Sequence, residues 1–395
     1  MPHVVGRHYD TQALIRVNWT GERIDSVETL DARPPDTTGA ADEAVPCIAP
    51  GLFDLQINGY GGVWFSDPKL TVEKVEAAVK PYLSMGVTRL CPTLITASHE
   101  ALKAGMAAIR AACERIPWVR SMVVGCHLEG PFISPVDGCR GAHPREHVRP
   151  ADWNEFQVLQ ESSGGRLKLV TLAPEAPYAL DFIRKATAQG VVVSLGHTCA
   201  ETHQIEAAVG AGASLSTHLG NGAQGMIRRH PNYIWDQLAE PRLKASLIVD
   251  GQHLPANVVR VFVRAKGADS VILTCDASGW AGCAPGVYDN HLGTVEVLDD
   301  SRVVVAGQRQ FLAGSGVGTD TCVLKAHEFT GLPLARTIDM AGRIPAELLR
   351  LDARGLAAGG RADLMLFDTP RPGDQKLRVR GTVLAGELVH GTLDV

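Results

Sequence analysis

The chain has 395 residues, of which 45% are hydrophobic and 21% are charged, and its formal net charge is −5. This balance is that of an ordinary globular protein, and it excludes a disordered chain, a coiled coil and a collagen-like fibre. The composition shows no basic excess that would predict nucleic-acid binding, and no apolar run of about 18 residues that would predict a membrane span. The nine cysteines form no Cys-x-x-Cys pair, so we expect no disulfide framework and a cytoplasmic protein.

Both ends of the chain carry short strand patterns separated by turn residues. Strands are predicted at residues 13–17, 23–27, 362–368, 377–384 and 387–389, and a turn at 33–39. Each end is too short to build a core alone, and the termini of a domain often lie close together. We therefore predict one small β-sandwich domain formed by residues 1–49 and 350–395.

Between these ends, apolar runs alternate with helical patterns, which is typical of βα units and a parallel sheet. The predicted strands begin near Leu52, Val87, Met122, Leu167, Val191, Ala213, Lys244 and Ser270. The predicted helices cover residues 72–84, 100–115, 180–188, 201–209 and 255–266. Eight such units predict a (β/α)8 TIM barrel over residues 50–349. A doubly wound sheet is disfavoured, because the glycines that follow the first strand are not spaced as G-x-G-x-x-G.

Barrel enzymes place their catalytic groups at the carboxyl ends of the strands. Here Glu129 ends the third predicted strand, and His197 and His218 end the fifth and sixth. One carboxylate and two imidazoles with an open fourth position form a catalytic metal set, which activates a water molecule. Asp276, at the end of the eighth strand, is then the candidate general base and acid. The alternative is that each group is a packed or capping residue, but four such groups at one end are not what core packing requires.

Two further histidines lie near this set. His127 stands two residues before Glu129 on the same face of its strand, and we interpret it as orienting that glutamate, with a packed histidine as the alternative. His143 lies in the loop at residues 140–144, where it is placed to polarise a carbonyl group. The alternative for His143 is a solvated surface residue.

Several motifs occur in a fixed order along the chain. They are P-G-L-F-D-L-Q-I-N-G at 50–59, H-L-E-G-P-F at 127–132, T-L-A-P-E at 171–175, G-H-T at 196–198, T-H-L at 217–219 and D-G-Q-H at 250–253. Together they resemble the N-acetylglucosamine-6-phosphate deacetylase family of the amidohydrolase superfamily, over nearly the whole chain. The resemblance implies metal-dependent removal of the acetyl group from an amino-sugar phosphate, in a homodimer with its sites at the subunit interface.

The resemblance also implies a role for each matching residue. Glu129, His197 and His218 hold one divalent metal ion, with zinc as the first expectation and iron, manganese or cobalt as alternatives. Asp276 is the general base and acid, and His143 helps to polarise the acetyl carbonyl. The residues matched to the sugar phosphate are Ala142, His143, Asn221, Gly222, Arg229, His253, Leu312, Ala313 and Gly314.

The chain departs from the family pattern in two places. Gln56 and Asn58 stand where many amidohydrolases carry the His-x-His of a second metal, so one metal per subunit is expected. Residues 220–223 read G-N-G-A where the family typically reads F-N-A-M, and residues 278–310 have an unusual sequence. A different N-acyl compound, such as another epimer or an unphosphorylated sugar, therefore stays an alternative substrate. A catalytically silent barrel acting as a binding module is the further alternative, and the intact metal set argues against it.

Overall fold

The structure is a computed structural model that describes residues 2–31, 45–290 and 293–393. The turn predicted at residues 33–39 lies outside the described residues. Two large sheets organise the chain: a barrel of parallel strands, and a sheet that combines strands from both ends. In the part of the chain that the structure describes, no helix is both long and apolar enough to cross a membrane.

The barrel sheet contains eight parallel strands within the described residues, and neighbouring strands follow chain order. The strands are Leu52–Ile57, Val87–Ile95, Cys126–Glu129, Leu167–Leu172, Val192–Leu195, Leu215–Ser216, Lys244–Ile248 and Val271–Thr274. A bridge between Ile57 and Ala277 joins the first strand to the segment after the eighth. The buried Asp54 carboxylate strengthens this closure, because it accepts hydrogen bonds from the Thr274 hydroxyl at 2.5 Å and the Cys275 N–H at 2.9 Å. The predicted TIM barrel is confirmed.

Seven of these strands begin within two residues of the predicted starts. The third was predicted from Met122 and begins at Cys126, so that prediction was four residues early. The reason is a short helix, Pro117–Met122, which occupies the apolar residues taken for the start of the strand. Proline at the first position favours a helix, because its fixed φ suits the first turn and its missing N–H is not needed there.

Helices cover the outside of the barrel and fill the connections. They are Val72–Val79, His99–Arg115, Pro117–Met122, Trp153–Ser162, Ala179–Ala188, Thr202–Gly210, Tyr233–Ala239, Ala256–Lys266, Thr319–Thr330, Leu334–Met340 and Arg343–Leu348, with 3-10 turns at Lys80–Met85, Arg145–His147 and Ala268–Ser270. Trp153–Ser162 and Tyr233–Ala239 are two of the six α-helices that the sequence prediction missed. A capping signal was present for both, since the side chains of Asp152 and Asn232 accept hydrogen bonds from the first-turn N–H groups.

The sheet from the two ends has, in order, the strands Glu387–Gly391, Val379–Leu384, Leu364–Phe367, Cys47–Pro50, His3–His8, Leu14–Thr20 and Arg23–Thr29. Alternate residues face opposite ways, so Ile48 joins a core within this sheet while Cys47 and Ala49 join the barrel core. The sheet curls on itself, so that strands near its two edges meet. The Trp19 Nε1–H of one edge region donates to Gly386 O in the turn at the other edge, at 2.8 Å. The predicted β-sandwich is thus one curled sheet. The boundaries at 49/50 and 349/350 stay a prediction.

Two small sheets stand beside the barrel mouth, the end at which the barrel strands finish. One pairs Gly59–Tyr60 with Val63–Trp64. The other contains Gly286–Asn290, Gly293–Val297, Val303–Val305 and Gln308–Leu312, within the segment of unusual sequence. Its Val297 and Val303 pack with Trp64, Trp280 and Ile95, the last residue of the second barrel strand. This insert therefore adds a wall at the mouth of the barrel.

Candidate metal centre and active site

The ends of the third, fifth and sixth barrel strands bring Glu129, His197 and His218 to one point. Glu129 Oε1 lies 3.2 Å from His197 Nε2 and 2.9 Å from His218 Nε2, and the two Nε2 atoms are 3.0 Å apart. All three side chains are buried. These separations approach the edges of a tetrahedral site, which are about 3.3 Å when the metal–ligand bonds are about 2.0–2.1 Å.

The tautomer of His197 and the ionisation of Glu129 favour the binding of a cation. His197 Nδ1 donates to Cys139 O at 3.0 Å, so in the neutral ring the Nε2 lone pair faces Glu129. Burial alone would raise the pKa of Glu129, but the neighbouring imidazoles of His197 and His218 hold it well below its usual range. The site therefore presents an ionised carboxylate and imidazole nitrogens to a common centre, and this donor set fits a divalent metal ion.

His143 belongs to the same cluster. Glu129, His143 and His197 each offer one ligating atom, and these three atoms all lie within 4.8 Å of one another. His143 is therefore also placed to be a ligand. However, the backbone N–H of Thr96 donates to His143 Nδ1 at 3.4 Å, and the Thr96 hydroxyl lies 2.8 Å from the same atom. An Nδ1 that accepts leaves the proton on Nε2 of the neutral ring, and burial holds the pKa of His143 well below its usual range. The contacts thus favour an N–H donor over a ligand.

Asp276 faces the cluster from the end of the eighth strand. Its Oδ1 accepts hydrogen bonds from Gln56 Nε2 at 3.0 Å and from Asn58 Nδ2 at 2.8 Å. Burial first, and then the charge of Glu129, raise the pKa of Asp276 to about 7. A carboxyl group with a pKa near neutrality both accepts and returns a proton readily.

Gln56 links the two carboxylates, because its Nε2 also donates to Glu129 Oε1 at 2.8 Å. The sequence analysis treated Gln56 and Asn58 only as absent metal ligands and missed this contact. A signal was present: residues 54, 56 and 58 alternate along the first strand and so share one face. The amide of Gln56 therefore fixes the general-base candidate relative to the metal set.

Three of the site residues share an unusual backbone conformation. His197, His218 and Asp276 have φ of 50°, 29° and 50°, a region that residues other than glycine rarely adopt. Each of them lies two residues beyond the last residue of its strand. The same strained turn thus places three functional side chains, and strain of this kind clusters at functional sites.

Two glycines, which lack a Cβ atom, allow the backbone to pack closely against the His197 ring. A Cβ atom on Gly222, whose φ is 55°, would lie 2.8 Å from His197 Nδ1, and one on Gly141 would lie 3.2 Å from His197 Cε1. Asn221 lies beside the backbone of the other histidine, since its Nδ2 donates to His218 O at 3.3 Å. Gly222 and Asn221, which were predicted to bind substrate, thus also pack against the metal-ligand candidates.

The remaining substrate candidates surround the same mouth. Asp250 Oδ2 accepts from His253 Nδ1 at 2.7 Å and from the Ser315 hydroxyl at 3.0 Å. Ser315 N donates to Asp276 O at 2.9 Å, and a Cβ atom on Gly314 would lie 3.2 Å from the same oxygen. Leu312 and Ala313 precede Gly314 at the end of the insert. Ala142 is exposed next to His143.

Arg229 stands apart from this group. It is exposed in the loop after the sixth strand, and its guanidinium pairs with no other residue in the ranges that the structure describes. The described contacts therefore join Glu129, His143, His197, His218, Asn221, Gly222, Asp276 and Gly314 and, through Asp250 and Ser315, His253, and they do not include Arg229.

The interpretation of His127 was wrong. Its Nε2 lies 2.7 Å from the Thr171 hydroxyl and its Nδ1 lies 3.4 Å from the Thr93 hydroxyl, and no described atom of Glu129 bonds to it. Burial lowers the pKa of His127 to about 4, so the ring is neutral. The hydroxyl contacts continue to Thr217 and Ser194. His127 thus belongs to a buried polar layer of the barrel interior.

A (β/α)8 barrel with carboxylates and imidazoles at the carboxyl ends of its strands defines a class of protein, the metal-dependent barrel hydrolases. The model of the amidohydrolase family matches residues 47–389. N-acetylglucosamine-6-phosphate deacetylase of Bos taurus is 36% identical over 370 residues, which are 88% of this chain and 86% of that protein. N-acetylgalactosamine-6-phosphate deacetylase of Shewanella sp. (strain ANA-3) is 31% identical, over 87% and 83% of the two chains.

Solved structures agree with these relatives. That of N-acetyl-D-glucosamine-6-phosphate deacetylase from Mycobacterium smegmatis matches with a TM-score of 0.85 and 29% identity, over 99% of this chain and 100% of that one. The corresponding structure from Pasteurella multocida matches with a TM-score of 0.83 and 25% identity, over 98% and 99%. The chain belongs to the amidohydrolase family and, within it, to the N-acetylglucosamine-6-phosphate deacetylases.

Proposed function

We propose that the protein hydrolyses N-acetylglucosamine 6-phosphate to glucosamine 6-phosphate and acetate. The observation that carries this proposal is the convergence of Glu129, His197 and His218 on one centre, with Asp276 tied to that centre through Gln56. Such an arrangement suits hydrolysis of an amide bond, and the relatives named above are deacetylases of N-acetylhexosamine 6-phosphates.

We also propose one divalent metal ion per subunit, held by Glu129, His197 and His218, with zinc expected first and iron, manganese or cobalt as alternatives. When bound, the ion polarises the acetyl carbonyl and lowers the pKa of a water molecule towards neutrality. Gln56 and Asn58 support a single ion, because an amide is a weaker ligand than the imidazoles of a His-x-His pair, and both residues direct amide N–H groups at Asp276.

Asp276 accepts the proton of the attacking water and returns it to the leaving amine. Among the described residues, the hydrogen bonds to its carboxylate fall on Oδ1, which leaves Oδ2 for this proton. Its raised pKa suits both transfers. His143 donates its Nε2–H to the carbonyl oxygen as negative charge develops there.

The substrate lies against the mouth of the barrel. Arg229 binds the phosphate, because arginine offers two parallel hydrogen bonds to such a group and this guanidinium has no partner among the described side chains. His253 supports the same anionic end. The sugar contacts Ala142, Asn221, Gly222, Leu312, Ala313 and Gly314.

The protein acts as a homodimer in the cytoplasm, with the small-molecule sugar as its ligand. The loop that carries Arg229 also carries Met226, which is 92% exposed. Ile227 beside it is 36% exposed, and a second subunit that covered both apolar side chains would lie next to the phosphate group. The odd number of cysteines without a Cys-x-x-Cys pair supports the reducing compartment.

A substrate panel tests the proposal. The metal-loaded enzyme is assayed with the 6-phosphates of N-acetylglucosamine and N-acetylgalactosamine and with both unphosphorylated sugars. We expect the highest kcat/KM for N-acetylglucosamine 6-phosphate. Arg229→Ala should raise KM about tenfold to a hundredfold for the phosphorylated sugar and little for the free sugar, since hydrogen bonds to charged groups contribute about 1.5–3 kcal/mol. Arg228→Ala, an exposed neighbour, is the matched control.

Better turnover of a free sugar, or an equal effect of Arg229→Ala on both substrates, would show a deacetylase with a different substrate. Elemental analysis tests the metal separately. One ion per chain is expected, and two tightly bound ions, or none after supplementation, would contradict the proposed site.

A further inference from the structure

A cavity of about 230 Å³ lies between the terminal sheet and the barrel, outside the site described above. Its wall includes Tyr9 from the N-terminal segment, Arg89 from the second barrel strand and Arg343 from a C-terminal helix, and the connecting residues 353–356. Arg89 is near the start of its strand, whereas Thr96, just beyond the end of that strand, contacts His143. The cavity therefore lies at the opposite end of the barrel from the metal set.

Arg89 is the unusual residue of this cavity. The residue is only 7% exposed, and its guanidinium lies 5.4 Å from the centre of the Phe53 ring. Nη1 donates to Asp352 O at 2.7 Å, but Nε has no hydrogen-bond partner among residues 2–31, 45–290 and 293–393. A buried cation is costly unless it is paired and its donors are satisfied. Burial accordingly lowers the pKa of Arg89.

The nearby carboxylates are already engaged by other arginines. Asp352 accepts from Arg354 Nε and Nη2, both at 3.0 Å, and from Arg23 Nη1 at 2.5 Å. Asp363 lies 2.7 Å from Arg361 Nε. The charge of Arg89 is thus left without a carboxylate of its own.

The charged groups on the wall favour an anion. Arg89, Arg343 and Arg354 line the cavity, against the single carboxylate of Asp339. Asp339 in turn accepts from Tyr9 Oη at 3.2 Å and from Arg343 Nε at 3.2 Å. Arg343 and Arg354 have carboxylate partners, whereas Arg89, which also lines the cavity, has none among the described residues. Its Nε is fully buried, so Nη2, which bonds to no described residue, is the guanidinium nitrogen left for a ligand.

We propose that this cavity, called the Arg89 cavity below, binds a small oxyanion-bearing molecule whose phosphate or carboxylate group accepts hydrogen bonds from Arg89. The volume is well above that of one water molecule and suits a phosphate ion or a short dicarboxylate. Such a ligand contacts the N-terminal segment, the barrel and the connecting residues together. Because it binds only the folded arrangement, it stabilises the docking of the terminal sheet on the barrel.

The experiment titrates the metal-loaded enzyme with inorganic phosphate and, separately, with malonate, by calorimetry and by thermal unfolding at constant ionic strength. We expect binding and an upward shift in Tm for at least one probe. Phosphate alone would assign a phosphate ligand, malonate alone a carboxylate ligand, and both would assign oxyanions in general. Arg89→Gln should weaken the binding by about tenfold or more, because a charge-assisted hydrogen bond is lost.

Two further variants locate the binding. Ala353→Leu fills the Arg89 cavity without removing a charge, and it should abolish binding even if Arg89→Gln does not fold. Arg229→Ala removes the proposed phosphate contact of the active site and should leave binding in the Arg89 cavity unchanged. The proposal is overturned if neither probe binds the unmodified enzyme, if binding survives Ala353→Leu, or if only Arg229→Ala abolishes it.

Discussion

The curled terminal sheet and the mouth of the barrel differ in how they use buried space. The sheet encloses apolar side chains such as Val17, Trp19 and Leu364, and its one indole N–H reaches a carbonyl. The mouth instead encloses Glu129 beside imidazoles, and it holds Asp276 in a strained backbone conformation. The first region lowers the energy of the fold, whereas the second raises it in order to place reactive groups. Substitutions should therefore separate stability from activity.

Asp276→Asn should give the largest effect and should confine it to activity. The amide cannot accept the proton of water, and general acid–base catalysis contributes about 10²–10⁴ in rate, or about 2.7–5.5 kcal/mol. The free energy of unfolding should not decrease, because the replaced carboxyl is buried with a raised pKa. Turnover, metal content and chemical denaturation are measured together. Near-normal turnover with metal bound would exclude Asp276 as the base.

Trp19→Ala should do the reverse and confine its effect to stability. Removing a fully buried tryptophan lowers the free energy of unfolding by about 3–5 kcal/mol. At a temperature where both proteins are folded, kcat should be unchanged. Leu388→Ala, at a residue of the same sheet that is 45% exposed, is the matched control and should cost much less. A loss of kcat in folded Trp19→Ala would mean that the two regions are coupled.

Gly222→Ala should weaken the metal site without removing a ligand. The new Cβ would meet His197 Nδ1 at 2.8 Å, and φ is unfavourable for alanine. Disturbing groups that support ligands typically costs about 10–100-fold in metal affinity. Gly225→Ala, in the same loop, has no atom within 4 Å of its Cβ and is the control. Equal metal affinities in the two variants would argue against His197 as a ligand.

A further difference is expected in the pH dependence of the stability of the metal-free protein. The pKa of Asp276 is about 7 when folded and about 3.9 in an unfolded chain. From about pH 4 to 7 the folded protein therefore holds a proton that the unfolded chain has released, so this group makes stability fall as pH rises. Asp276→Asn lacks this loss of unfolding free energy, which amounts to about 1.4 kcal/mol for each unit by which the folded pKa exceeds the unfolded pKa. Denaturation curves should diverge over this window and run parallel above it; parallel curves throughout would contradict the raised pKa.

The sequence indicated the site residues at the ends of strands but not their partners. Glu129 and Asp276 were recognisable because a polar residue interrupts an apolar run at the catalytic end of a barrel strand. The bridge from Gln56 to both of them was not, since an amide in a strand carries no pattern that names its acceptor. His127 shows the same difficulty: its face of the strand was predictable, but its hydroxyl partners lie on neighbouring strands.

The sequence by itself determined the order of the barrel strands, the barrel, the pairing of the two ends and the side chains available at the mouth. These follow from local periodicity, which acts over a few residues. Only the tertiary structure decided the distances and protonation. Gln56 and Glu129 are 73 residues apart, and Gln56 and Asp276 are 220 apart. Such contacts exist only after the barrel closes, and the ring nitrogen of His197 that carries the proton is set by the Cys139 carbonyl brought to it by that closure.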